Sequence, residues 1–326
     1  MDNLTHALSG IILSRAGLNR LAPQAGWLLV MAANAPDAEV ISGLWDSTVY
    51  LDLHRGPTHA LAFAPLVALA PLPVWRWLAR KAHPDRRAWA GAYACSLLGV
   101  LSHILFDWTN AYGVRLALPF SESWYRLGWL FVADVWVWAI LGAGVAAAAL
   151  ARLVYGEIGA KPGSGRAGAL AVLALLGLYL GVRAEAHARA VAVLESRIYQ
   201  GQAPKRAYAI PGPVNLLRWR GLVETPGAWR SMEVGLLREF DPGAGRVYYA
   251  PEPSAALEAA RATPVMRSFQ RFAQAPVWQV SPAPQPEGAG GGTAGGLRFG
   301  GLGEGRVMGR GGVGAGGRGL EQNFQF

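Results

Sequence analysis

Apolar residues dominate the first 190 positions in runs longer than a surface helix needs. Four runs approach or reach the ~20 residues that cross a bilayer's hydrocarbon core. They are 59–78 (HALAFAPLVALAPLPVWRWL), 89–106 (WAGAYACSLLGVLSHILF), 130–151 and 167–184. Two shorter runs, 7–18 and 26–41, predict helices that span in part or re-enter. A secretory signal does not explain the start, because Asp2 and His6 stand where a basic leading region would be. After position 190 the pattern changes. PGPVNLLRWRGLVET and AWRSMEVGLL read as strands around a turn at Pro226 and Gly227. RVYYA and PVWQV predict further strands, and SAALEAARA a short helix capped by Ser254. From Glu287 onward come glycine repeats, GAGGGTAGG and GRGGVGAGGRG, which bury too little apolar surface to offset chain entropy. Leu297-Arg298-Phe299 is a strand-like interruption there. The expected architecture is mainly α. A polytopic bundle of four full spans and two short or re-entrant helices covers 1–190. A small α+β domain covers 191–283 on the outer face, and a Gly-rich, unordered tail covers 284–326.

Composition agrees with a membrane chain. Charged residues make up 16%, against about 25% in soluble domains, and mean hydropathy is +0.22. The net charge of +9 would suit a nucleic-acid binder, but its placement argues for a bilayer. Arg76, Arg80, Lys81, Arg86 and Arg87 fill one loop between apolar runs; Arg152, Lys161 and Arg166 fill another. Short basic loops stay cytoplasmic, which puts 76–88 and 152–166 inside. The ends bearing His59, His103 and Asp107, the 111–129 loop and the chain after 187 then face outward. GRGG in the tail resembles RNA-binding Arg-Gly segments, yet no nucleic-acid partner is expected. The single cysteine, Cys95, permits no intrachain disulfide. Trp27, Trp45, Trp124, Trp129, Trp136 and Trp138 read as interfacial belts.

Ionisable residues then cluster at the outward ends: Asp2, His6, Asp37, Glu39, His54, Arg55, His59, His103, Asp107 and Asp134. Charges within membrane segments are costly and point to function, and imidazoles with carboxylates are ordinary ligands for Zn²⁺ and Mn²⁺. His103 and Asp107 are four apart and share a helix face; Asp2 and His6 have the same spacing. Asp37 follows Asn34-Ala35-Pro36, where proline breaks the helix. His54 precedes Gly56-Pro57, a turn that opens the segment carrying His59. THAL at 5–8 and again at 58–61 is a faint repeat that gives His6 and His59 like roles. A lone histidine in an apolar helix is more often packed and hydrogen-bonded than a ligand. The joint pattern outweighs that reading, while His83 and His187 stand apart from it. Arg55 serves equally as an interfacial anchor or as an anion contact.

DNLTHALSG, NAPD, LHRGPTHAL, SHILFDWTNAYG and VADVW resemble the YdjM-type membrane-bound metal-dependent hydrolases over roughly 1–140. PGPVNLLRWRGLVET resembles the C-terminal extension carried by part of that family, although glycine repeats replace the closing strand expected after VWQV. The resemblance implies hydrolysis with a bound metal, no defined substrate, and a bacterial inner-membrane, multi-pass location. It implies a metal set of Asp2, His6, Asp37, His54, His59, His103 and Asp107, with Asp134 weaker. A remoter likeness, in ligand order alone, is to zinc-dependent phospholipases C and related nucleases.

The leading expectation is a hydrolase cleaving a phosphate ester, with membrane lipids as partners and a lipid headgroup as one substrate class, at the outer membrane–water boundary. Its cofactor is a divalent metal, Zn²⁺ or Mn²⁺. His103, Asp107, Asp37 and His59 are the first ligands, with His6 and His54 completing a second ion or supporting the first. Arg55 would hold a phosphoryl oxygen, and Asn110 or Asp134 would orient a ligand imidazole. One alternative is a non-catalytic binding or scaffold protein stapled by a structural metal. Another is a transporter with a midplane relay.

Overall fold

The structure is a computed structural model. It describes residues 1–44, 47–159, 165–254, 257–258, 261–273, 275–282, 290–296, 308–313 and 319–325. The chain is mostly helical, with antiparallel sheet after position 205. Among the described residues, three helices are long and apolar enough to cross a membrane: Arg86–Thr109 (α6), Val135–Glu157 (α7) and Arg166–Glu195 (α8). The shorter helices are Asn3–Arg15 (α1), Ala25–Asn34 (α2), Ser47–Leu53 (α3), Ala64–Val67 (α4), Leu72–Leu78 (α5) and Pro264–Phe272 (α9).

The expected span at 59–78 is a correction. Instead of one helix, the chain forms a 3-10 turn at Pro57–His59, then α4, then α5. Pro65, Pro71 and Pro73 interrupt the segment. In one continuous helix each would remove a backbone donor and collide with the preceding turn, whereas here they stand at the starts of α4 and α5, so hydropathy alone overstates the helix. The expected short helix over 254–262 and the strand at 297–299 lie partly and wholly outside the described residues, as does Lys161.

Two compact units divide the chain. The first comprises Met1–Ile41, Arg55–Glu185 and Pro211–Leu216. In it, α2 packs between α1 and α6 at close range. A Cβ on Gly10 would meet Leu29 O at 2.8 Å, and one on Gly99 would meet Ala32 Cβ at 2.7 Å. Leu28, Leu29, Ala32 and Ala33 on α2 are fully buried. Aspartates start α1, α6 and α7. Asp2 accepts from Thr5 N at 3.0 Å, Asp85 from Ala88 N at 2.8 Å, and Asp134 from Trp136 N at 3.1 Å. An N-cap carboxylate satisfies the unpaired first-turn N–H groups. After α6 the chain leaves helix at Asn110 and returns through bridges Asn110–Leu130 and Val114–Tyr125.

The second unit comprises Ser42–His54, Ala186–Ile210 and Leu217–Phe326. Its first sheet is a meander of Arg206–Pro211 (β1), Arg218–Thr225 (β2), Ala228–Gly235 (β3) and Arg246–Tyr249 (β4). The β2–β3 hairpin turns where the sequence predicts, with Thr225 opposite Ala228 and Gly227 at φ +74°. Trp219, Val223, Met232 and Val234 pack on Leu194 and Tyr199. A second meander joins Pro276–Pro282 (β5), Gly290–Gly296 (β6), Met308–Val313 (β7) and Gly319–Gln325 (β8). The described residues of the Gly-rich segment, expected to be unordered, thus form three strands. A β-ladder is built from main-chain groups and can form without side chains to pack.

Candidate metal centre

His103 and Asp107 lie one turn apart on α6, and both are fully buried. His103 Nδ1 lies 2.7 Å from Ala33 O at the end of α2. A carbonyl oxygen only accepts, so Nδ1 carries the proton and Nε2 presents a lone pair. That lone pair faces three other groups: His59 Nε2 at 3.0 Å, Asp107 Oδ2 at 3.4 Å and Asp37 Oδ1 at 3.5 Å. His59 Nε2 is itself 3.3 Å from Asp107 Oδ2 and 3.6 Å from Asp37 Oδ1. Asp37, His59, His103 and Asp107 therefore converge one ligand atom each, all within 4.8 Å of one another.

Local structure explains the convergence. Pro36 follows α2, and the backbone tightens into 3-10 turns over Ala35–Leu44 that carry Asp37. Gly56 and Pro57 redirect the chain so that His59 falls in a single 3-10 turn. Asn110, just past α6, donates from Nδ2 to Asp107 Oδ1 at 3.2 Å, while its Oδ1 accepts from Tyr112 N and Gly113 N at 2.7 and 3.1 Å. Asn110 thus orients a carboxylate rather than the imidazole expected of either Asn110 or Asp134.

His6 lies beside the cluster. Its ring stacks on His103 with centroids 3.7 Å apart, and its Nε2 is 3.6 Å from Asp107 Oδ1. His6 is fully buried, and neither ring nitrogen has a hydrogen-bond partner among the described residues. The Met1 amino group lies against Asp107 Oδ1. Burial, with Arg55 nearby, holds that amine well below its ordinary range. Arg55 is buried, with Nε 3.4 Å from Asp107 Oδ2 and Nη1 3.2 Å from Gly113 O. Its guanidinium covers the Tyr112 ring at 4.4 Å.

Other residues of the expected set are placed elsewhere. Asp2 caps α1 and accepts from Trp138 Nε1 at 3.1 Å. Asp134 caps α7 and accepts from the Tyr179 hydroxyl at 3.0 Å. His54 belongs to the second unit, where its ring tilts against Tyr50 at 4.7 Å. Glu39 joins the site from outside the expected ligand set. Its Oε2 is 3.4 Å from His59 Nδ1, and the one sequence signal was its place two positions after Asp37.

Two imidazole nitrogens and two carboxylate oxygens form a donor set that fits Zn²⁺ or Mn²⁺. Lone pairs meeting at about 3 Å in a buried site repel one another unless a cation or proton lies between them.

A family model described as YdjM inner membrane protein matches residues 1–190. The Uncharacterized protein YfhP of Bacillus subtilis is 31% identical over 147 residues, covering 42% of this chain and 43% of that protein. The match spans less than half the length of that relative. No solved structure matches the chain.

Proposed function

This chain belongs to the YdjM inner membrane protein family, and from that starting point we propose that it is a membrane-bound, metal-dependent hydrolase of phosphate esters. Asp37, His59, His103 and Asp107 would hold the cation. The observation that carries this reading is the meeting of His59 Nε2 and His103 Nε2 at 3.0 Å between two aspartates, with His103 Nδ1 tied to a carbonyl. When bound, such an ion polarises a phosphoryl oxygen and lowers the pKa of water toward about 7.

The chain's own groups would supply the rest. Arg55 touches Asp107, and its planar fork suits a phosphoryl oxygen. Asn110 fixes the Asp107 carboxylate, so that its Oδ2 stays turned toward both histidines. His6, buried with neither ring nitrogen hydrogen-bonded among the described residues, would hold a second ion against Asp107 Oδ1. Membrane lipids are the proposed surroundings, and a lipid headgroup one substrate class.

The test is hydrolysis of phosphate mono- and diesters, including phospholipid in liposomes, by purified protein. Chelation should abolish turnover, added Zn²⁺ or Mn²⁺ should restore it, and a His103→Ala, Asp107→Ala double variant should stay inactive. Equal turnover in all samples removes the proposal. One observation favours a second reading. Four protein donors are enough to close a tetrahedral shell, as in structural zinc sites. Bound metal with no hydrolysis of any ester would favour a non-catalytic membrane binding protein stapled by its ion.

A further inference from the structure

We infer that Glu39 is a positioning residue that sets the tautomer of His59 through Thr58. The inference rests on the metal reading above, and it concerns how one ligand is made ready for an ion.

An ionised carboxylate only accepts hydrogen bonds. Glu39 Oε2 lies 2.5 Å from Thr58 Oγ1 and so takes the one hydroxyl proton that Thr58 has. The threonine oxygen is left with lone pairs, and it lies 2.9 Å from His59 Nδ1. His59 must then donate from Nδ1, which turns the bare Nε2 toward His103, Asp37 and Asp107. The direct Glu39–His59 separation of 3.4 Å is too long for a good hydrogen bond. Thr58 is therefore the link.

The same carboxylate holds the loop itself. Glu39 Oε1 accepts from Arg55 N at 2.6 Å, and Arg55 sits at φ +48°, a conformation that non-glycine residues rarely adopt. One side chain thereby ties the turn that carries Asp37 to the loop that carries Arg55 and His59. Its own side chain is only 5% exposed. Outer groups that orient a metal-binding histidine typically change metal affinity 10–100-fold.

The experiment measures Zn²⁺ affinity of the full chain in detergent by chelator competition, together with the ¹⁵N shifts of the His59 ring in metal-free protein. Glu39→Gln loses either the Thr58 or the Arg55 contact, because one end of the amide cannot accept. Thr58→Val removes the hydroxyl and keeps the shape, whereas Thr58→Ser keeps the hydroxyl. Glu39→Gln and Thr58→Val should each weaken Zn²⁺ binding about 10–100-fold and shift the His59 ring toward the other tautomer. Thr58→Ser should behave as wild type. The double variant should be little worse than the weaker single one, since both cut one chain of contacts. If Glu39→Gln does not fold, the Thr58 pair decides. Wild-type affinity and unchanged ring shifts in Thr58→Val would overturn the inference while the metal site stands. A wild-type chain that binds no Zn²⁺ would overturn the metal reading itself.

Discussion

At the scale of single residues, carboxylates that look alike in the sequence have different work. Asp2 and Asp134 each precede an apolar run, as ligands at a helix mouth would. Both instead cap helices by accepting first-turn N–H groups. A residue that starts a helix and one that binds an ion leave the same mark in a sequence, because both sit at the polar edge of an apolar segment. His103 and Asp107 were legible because a four-residue spacing is geometrically unambiguous on a helix. Glu39 was not, because its partners lie 16 and 19 positions away across an irregular stretch. His6 is the residue whose environment is least explained by protein contacts alone. Replacing it with alanine should lower the metal content by one ion per chain, measured by elemental analysis, while the ion at Asp37, His59, His103 and Asp107 remains. Unchanged metal content would return His6 to a packing role.

At the scale of elements, the bundle depends on helices that touch through backbone. A Cβ on Gly91 of α6 would fall 2.0 Å from Leu21 O, a contact with a carbonyl that no side-chain rotation relieves. Gly91→Ala should therefore destabilise the chain by about 1–3 kcal/mol, read as a lower midpoint of thermal unfolding in detergent. Gly142, where an added Cβ meets nothing within 4 Å, is the matched control, and Gly142→Ala should leave the midpoint unchanged or raise it slightly. The long apolar runs that became α6, α7 and α8 could be read directly, since their hydropathy is continuous. The 59–78 run could not, because averaged hydropathy does not register that Pro65, Pro71 and Pro73 deny it a continuous hydrogen-bond ladder. The strands of the Gly-rich segment were invisible for a different reason. Side-chain alternation is the usual strand signal, and glycine carries no side chain.

For the molecule as a whole, the legible part was the class: a membrane chain with sheet at its C-terminal side. Sidedness is the matter its basic loops address. Reporter fusions should show position 83 on the cytoplasmic side and position 230 on the opposite side. Both reporters on one side would remove the proposed outer location of the C-terminal domain. They would also leave the face on which a phosphate ester is met to be assigned afresh.

The carbonyl of Ala33 is a small feature with a long reach. His103 takes its orientation from a main-chain atom, so a replacement of the alanine side chain reaches that contact only by moving the backbone. What can erase it is a change of length. Removing one residue from α2 would rotate its last turn by about 100° and carry the oxygen away from the imidazole. Single-residue deletions between positions 25 and 33 should therefore damage ion binding more than most point changes there, a pattern that a deletion scan would reveal.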